Sequence, residues 1–583
     1  MERGFAAYQR GDLVEAERLC RAVLNAKTDH FDALHLLGII TARTRRTQEA
    51  IQLLQRAAGS DPKDAAVQSH LGNVLRGLNR PAEALQCYER ALTLKPDYAE
   101  AHYNRGNALC DLKRPTDALE SYERALSLMP DIAEAHNNRG VALNALDRPT
   151  EALTSYERAL ALKPDYAEAH NNRGIALFEL RRYADALESH DRALRLRSNY
   201  AEGYFNRGMA LNALHRPAEA LQSYERALAL EPGSAEAYNN RGMALFDLMR
   251  YAEAIESYER ALALKADFVS AHWNLALCRL LLGDFALGWQ EYEWRLKVGQ
   301  QADPGRRFVQ PRWLGAQPLD GKAILLQCEQ GLGDTLQFCR YAKNVAALGA
   351  RVLLEVQPPL VQLLADLDGV TQVLEEGSPL PAFDYHCPLM SLPLTFETDL
   401  RNIPSHVPYV RSDAVRIAAW QQRLGVRTKP RVGLVWSGGV AHRNDHNRSI
   451  ALAELLPIVS DWADWLSLQK SLSESDAELL ASCPHVRHAG DALGDFADTA
   501  ALVELMDVVV TVDTSVAHLA GAMGKPVWIL LPCNPDWRWL LDRADSPWYP
   551  TARLFRQPAV GDWTAVVRRL REELGREFRA RGH

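Results

Sequence analysis

The sequence predicts a chain in two parts: an all-α array of helical hairpins in its first half, then an α/β region with parallel sheets. Two observations predict this. A segment of the first half returns every 34 residues, and apolar strand-length runs alternate with helical stretches in the second half. A length of 583 residues is also too great for one ordinary core.

The repeat is plain in "DYAEAHYNRGNAL" at 97–109, which returns as "DIAEAHNNRGVAL" and "DYAEAHNNRGIAL". Glycine recurs at Gly38, Gly72, Gly106, Gly140, Gly174, Gly208 and Gly242, where a first helix must approach a second closely. Alanine recurs in the second helix at Ala118, Ala152, Ala186, Ala220 and Ala254. Proline at Pro62, Pro96, Pro130, Pro164 and Pro232 ends that helix. This pattern is the tetratricopeptide signature, with about eight repeats over 33–304 after a partial one. Such arrays stack into a superhelix with a concave groove.

One face of each first helix carries asparagine, at Asn104, Asn138, Asn172, Asn206, Asn240 and Asn274. A row of amides at constant rise can bond an extended peptide's backbone, and it can equally be a solvated consensus feature. The glutamates beside it (Glu134, Glu168, Glu202, Glu236) favour a neutral or basic ligand. The expected organisation is a repeat array over 1–304, a Gly/Pro/Gln-rich linker over 305–321, and two Rossmann-like lobes over 322–428 and 429–583.

Strands are expected at 323–327, 351–356, 431–436, 464–468, 506–512 and 526–531. Helices are expected at 335–348, 358–367, 411–424, 450–459 and 497–505, with a last helix near 562–578 returning to brace the first lobe. Ligands of such sheets bind beyond the carboxyl ends of the strands, and three loops there carry chemistry. "GLGD" at 331–334 is a tight turn in which Gly331 and Gly333 let the backbone approach a ligand and Asp334 faces it or caps the helix. "SGGVAHRNDHNRS" at 437–449 joins Ser437 and Gly438 to Arg443 and Arg448, which suits a phosphate or serves as a solvated polar loop. "DTSVAH" at 513–518 places Asp513, Thr514 and Ser515 at a helix start, with His518 a turn later. His386 follows a short strand and faces either the cleft or the core. The cluster Trp537, Arg538, Trp539, Trp548 and Tyr549 suits either a stacked base or a packed crossing between lobes.

Taken together, GLGD, the SG loop with its basic residues, and DTSVAHLAGAMGKP resemble the heptosyltransferase-type (family 9) glycosyltransferases over roughly 322–560. The resemblance implies a GT-B fold, a nucleotide-sugar donor in the second lobe, inversion at the anomeric centre and no metal or other cofactor. It gives Asp334 the role of general base, gives Thr514, Ser515 and His518 contacts to the donor diphosphate, and gives Arg443 or Arg448 the role of cation. The glutamates seven residues apart that mark many retaining GT-B enzymes are missing after Asp513. Repeats followed by such a module are similar in layout to protein O-GlcNAc transferases, which implies a protein or peptide acceptor in the groove. Two alternatives are a scaffold whose C-terminal domain binds a nucleotide sugar without turnover, and a glycan-assembly transferase.

Charge and composition narrow the rest. A net charge of −7 argues against a nucleic-acid binder. The nine cysteines show no CxxC spacing, and no apolar run reaches membrane-span length, so a reduced cytoplasmic setting is expected.

Overall fold

The computed structural model describes residues 1–297, 308–439 and 444–579. It divides into two compact units, Met1–Ala244 and Leu245–His583. No described helix is long and apolar enough to cross a membrane.

The first unit is helical hairpins throughout. Glu2–Gln9 pairs with Leu13–Ala26, Phe31–Arg43 with Thr47–Ser60, and Ala65–Gly77 with Pro81–Leu94, and the pattern continues to Ala201–Ala213 with Pro217–Leu230. The repeating glycine is the close-approach point of each hairpin. A Cβ on Gly106 would lie 2.6 Å from the Tyr122 ring, and one on Gly140 would lie 2.5 Å from Tyr156. Arg105 and Arg139, just before those glycines, donate to Ser121 and Ser155 of the second helix at 2.6 and 2.7 Å. Proline also opens second helices at Pro81, Pro115, Pro149 and Pro217, where its missing N–H has no intrahelical partner to lose. Between the two helices the chain turns through a left-handed residue, at Arg45, Asn79, Lys113, Asp147, Arg181 and His215, with φ between 56° and 60°.

The second unit begins with repeat helices, including Val269–Leu281 and Phe285–Tyr292, and continues into two parallel sheets. The first sheet holds β1 (Ala323–Gln327), β2 (Arg351–Val356), β3 (Val370–Glu375) and β4 (Tyr385–Pro388), in the order β3-β2-β1-β4. The second holds β5 (Arg431–Val435), β6 (Asp464–Ser467), β7 (Val486–His488), β8 (Val508–Val512), β9 (Val527–Leu531) and β10 (Ala552–Arg556), in the order β10-β9-β8-β5-β6-β7. The period of two along the strands sorts their side chains between layers. Ile324 and Leu326 share one core with Trp289, Phe338, Val509 and Ile529, whereas Leu325 joins Leu353 and Leu374 on the opposite face.

Several expectations need correcting. The helix expected at 358–367 is a single 3-10 turn, Pro358–Leu360, followed by non-helical turns. That expected at 335–348 is broken into Leu332–Phe338, a 3-10 turn at Cys339–Tyr341 and Ala342–Ala346. The last helix, Trp563–Arg579, packs on its own sheet in its described contacts rather than bracing the first lobe. Its stripe Trp563, Val566, Val567, Leu570, Leu574 and Phe578 forms one helical face and is buried with Val432, Val510 and Trp528, beside Leu452, Leu455 and Ile458. Within the segment read as a linker, Pro311–Trp313 pairs with β4: the Trp313 backbone N–H donates to the His386 carbonyl at 2.8 Å and the His386 N–H to the Pro311 carbonyl at 3.3 Å.

Candidate functional site

The first loop follows β1. Gly331 is the N-cap of the helix Leu332–Phe338, and Asp334 Oδ2 accepts the Gly331 N–H at 2.8 Å. Asp334 therefore caps its helix, one of the two roles open to it from sequence. Its other oxygen, Oδ1, accepts from Arg538 Nη2. Arg538 is buried, and it also donates through Nε to Gln337 at 2.8 Å and through Nη1 to Asp536 at 2.9 Å. Just before the turn, Glu329 takes two bonds from the buried Arg295, at 2.8 and 3.0 Å.

The second and third loops leave β5 and β8, which are neighbours in the sheet, so their carboxyl ends lie side by side. The Gln469 side chain ties down the β5 loop: its Oε1 accepts the Ser437 N–H at 3.3 Å and its Nε2 donates to the Ser437 carbonyl at 3.1 Å. The Gly438 N–H donates to Ser449 Oγ at 3.1 Å, and a Cβ at Gly438 would collide with the Arg448 guanidinium. Arg448 crosses to the next loop and donates to the Asp513 carbonyl at 3.1 Å. Arg443 lies outside the described residues. Thr514 is the N-cap of the helix Ser515–Ala522, and its hydroxyl meets that of Thr511 at 3.0 Å.

His518 joins the two sheets. A Cβ on Gly333 would stand 2.7 Å from His518 Cδ2, so the absence of a side chain there lets the first loop touch the third. His518 Nδ1 pairs with the Tyr549 hydroxyl at 2.9 Å, and its ring stacks on Trp539 at 5.4 Å. Burial, then the charges of Arg538, Arg340 and Arg448, hold the imidazole neutral, well below its usual range. Asp513 moves the other way. Burial, then the nearby Asp536 carboxylate, push it up to about 7 against the pull of Arg538.

Asp334, Gly333, Arg448, Asp513, Thr514 and His518 thus come from three loops to one place, and Arg538 joins them. The sequence marked Arg538 only as part of an aromatic cluster. That cluster is a packed crossing: Trp537, Trp539, Trp548 and Tyr549 are all buried, with Trp537 edge-on to Trp289 at 5.2 Å and Trp548 against Phe338 at 5.8 Å. His386 does not follow a strand but lies within β4. Its ring contacts Gln327 at 3.3 Å and packs on Phe308 at 4.9 Å, so the described contacts place it against the sheet rather than beside Asp334. Among the described residues, no group of three or more His, Cys, Asp and Glu side chains is arranged to hold a metal.

The asparagine row has partners of its own. Asn138 donates to Asn107 at 2.8 Å, and Asn172 and Asn206 donate to Asn137 and Asn171 at 3.1 Å, each reaching the preceding repeat. These amides clasp neighbouring repeats while staying partly exposed. Asn104 lines a cleft of about 630 Å³ with Asn73, Arg76, Tyr88 and Asp111. Asn240 accepts from Asn239 at 3.1 Å, and Asn274 is half-buried in the second unit. Of the glutamates beside the row, Glu134 is paired with Lys163 at 2.8 Å and Glu168 with Arg197, so their charge is already balanced.

Family models described as tetratricopeptide repeats match residues 7–73 and 70–131, and again 167–200, 201–234 and 235–268; a TPR repeat model matches 142–181. Protein FlbA of Caulobacter vibrioides is 26% identical over 326 residues, covering 52% of this chain and 54% of its own length. The chain therefore spans about half the length of this curated relative. Two solved structures are similar in part. The APC/C hetero-tetramer Cut9–Hcn1 matches with 16% identity and a TM-score of 0.38, over 46% of this chain and 52% of that one. YrrB, described as a TPR protein with an unusual peptide-binding site, matches with 24% identity and a TM-score of 0.28, over 32% of this chain and 95% of that one. The N-terminal half is an array of tetratricopeptide repeats, and a C-terminal region with two parallel sheets follows it.

Proposed function

We propose that the C-terminal region is an inverting glycosyltransferase of the GT-B type, moving a sugar from a nucleotide sugar to an acceptor hydroxyl. The repeat groove holds a protein or peptide acceptor. The observation that carries this reading is the meeting of Gly333 with His518, which sets the Asp334 turn against the Thr514–Ser515 helix start. One partly exposed carboxylate then lies near a helix N-terminus, and the cation Arg448, paired with Asp445 at 3.2 Å, donates to the Asp513 carbonyl just before that helix. Transfer needs that combination: a carboxylate to take the acceptor's proton, and positive charge with N–H donors to hold the departing diphosphate. Both Asp334 oxygens have partners, yet each carboxylate oxygen can accept more than one bond, so a hydroxyl can still dock there.

The same two bonds favour a second reading, in which Asp334 is purely structural and the domain binds a nucleotide sugar without turning it over. Donor binding is tested by thermal shift with UDP, GDP, ADP and dTDP and their sugars. Ligand at 100 times its Kd should add about 2.7 kcal/mol of stability. A shift with one base, lost in Thr514→Ala, supports the donor site; no shift with any of them contradicts it.

A further inference from the structure

We infer that Arg538 is the positioning residue for Asp334, and that repeat helices of the second unit hold Arg538 in place through the segment Asn534–Trp539. The inference rests on the transferase reading above and gives this part of the repeats a role in the chemistry besides holding an acceptor.

Four neighbouring side chains carry it. Asn534 binds the repeat helices, accepting from the Tyr251 hydroxyl at 3.1 Å and donating to the Phe246 carbonyl at 3.3 Å. Trp537 is wedged among repeat aromatics, edge-on to Trp289 at 5.2 Å and to Tyr292 at 6.0 Å. Arg538 lies over the Trp537 ring at 4.3 Å and reaches Asp334 and Gln337 of the first lobe. Trp539 stacks on His518 of the second lobe. Immediately afterwards Leu540 takes φ 54° and ψ −167°, a conformation that L-residues adopt only when their surroundings impose it. The segment is thus fixed at both ends, with the guanidinium between them. A buried ion pair adds little net stability, so its geometry, with three donors aimed at three acceptors, is the better guide to its use.

The test uses the full chain with Arg538→Gln, Arg538→Lys and Trp537→Leu. Hydrogen exchange is measured at 331–338 and at β1, and nucleoside diphosphate release is measured with the nucleotide sugar that raises Tm and a peptide acceptor pool. Trp537→Leu should speed exchange in 331–338 at least tenfold and leave β1 unchanged. Arg538→Gln should cut release about 100-fold with less than a threefold change in donor KM. Arg538→Lys, which keeps the charge but not the fork of donors, should recover part of the rate. Exchange that is unchanged at 331–338, or that rises equally in β1, overturns the inference. If wild-type protein releases nothing from any donor, the transferase reading fails, and the exchange pattern alone decides whether Arg538 positions the turn. Should Arg538→Gln not fold, Trp537→Leu and Arg538→Lys carry both measurements.

Discussion

A Cβ on Gly106 would stand 2.6 Å from the Tyr122 ring, and one on Gly333 would stand 2.7 Å from the His518 ring. Both glycines let a helix close on an aromatic side chain. In the repeats the partner lies in the next helix of the same hairpin, and the arrangement recurs at Gly72–Tyr88, Gly140–Tyr156 and Gly208–Tyr224. At the candidate site the partner lies on the helix that follows β8 of the other sheet, and the second contact there, Asp334 with Arg538, spans 204 residues of chain. The same steric device serves local stacking in one region and the meeting of two lobes in the other.

The largest effect that would break this contrast is at Trp289, a repeat residue whose indole donates to the Thr398 carbonyl at 2.9 Å and packs in the main core of the second unit. Trp289→Ala should cost about 3–5 kcal/mol. Hydrogen exchange should show the loss in the second unit and leave helices before residue 230 protected. Equal loss in both would mean the repeats answer as one body. Next come the glycines themselves. Gly140→Ala and Gly333→Ala should each cost about 1–3 kcal/mol by overpacking, but only Gly333→Ala should weaken the nucleotide thermal shift. A weakened shift in Gly140→Ala would count against their separate roles.

Acid titration sharpens the contrast further. Asp513, raised to about 7, keeps its proton in the fold where the unfolded chain has lost it. Its contribution is complete below about 4, the usual Asp value, and is lost as pH rises through 7. His518, held far below its usual range, works in reverse: its contribution is present above about 6.5 and is lost as pH falls. The two oppose each other between about 4 and 6.5. Asp513→Asn should therefore lose stability more steeply than wild type on acidification in urea titrations, and His518→Gln less steeply. Identical profiles would contradict the assignment.

The smallest effects lie between repeats. Asn172→Ala should cost about 1 kcal/mol, the worth of one amide bond. Lys163→Ala, which breaks a roughly half-exposed pair with Glu134, should cost less than about 1 kcal/mol and fade with salt. Urea midpoints of the first unit measure both, and a larger loss for Lys163 would reverse the ranking.

How much of this could be read beforehand follows the same division. Repeat contacts are short in sequence and written many times, so their period and close-approach glycines were legible. Strands β1, β2, β5, β6, β8 and β9 were legible because buried parallel strands are near-continuous apolar runs. The strands that the apolar runs did not mark, β3, β7 and β10, are sheet edges, and the fourth edge, β4, was legible only as a short strand placed before His386. Edge strands are short or polar, as in "VRH" and "ARLFR", and carry no such run. The three loops were legible as strand ends with glycine, hydroxyl and charge. Arg538 was not, because no local pattern links "DWRW" to "GLGD". A buried-looking arginine between two tryptophans, next to an aspartate, was the one available signal.

The measurement that tests the central claim most directly is nucleoside diphosphate release by wild-type protein and Asp334→Asn, with the donor that raises Tm and a peptide acceptor pool. The account predicts an equal thermal shift for both proteins, with release falling by at least 100-fold in Asp334→Asn. Equal release from both, or none from wild type despite a bound donor, would contradict a catalytic Asp334.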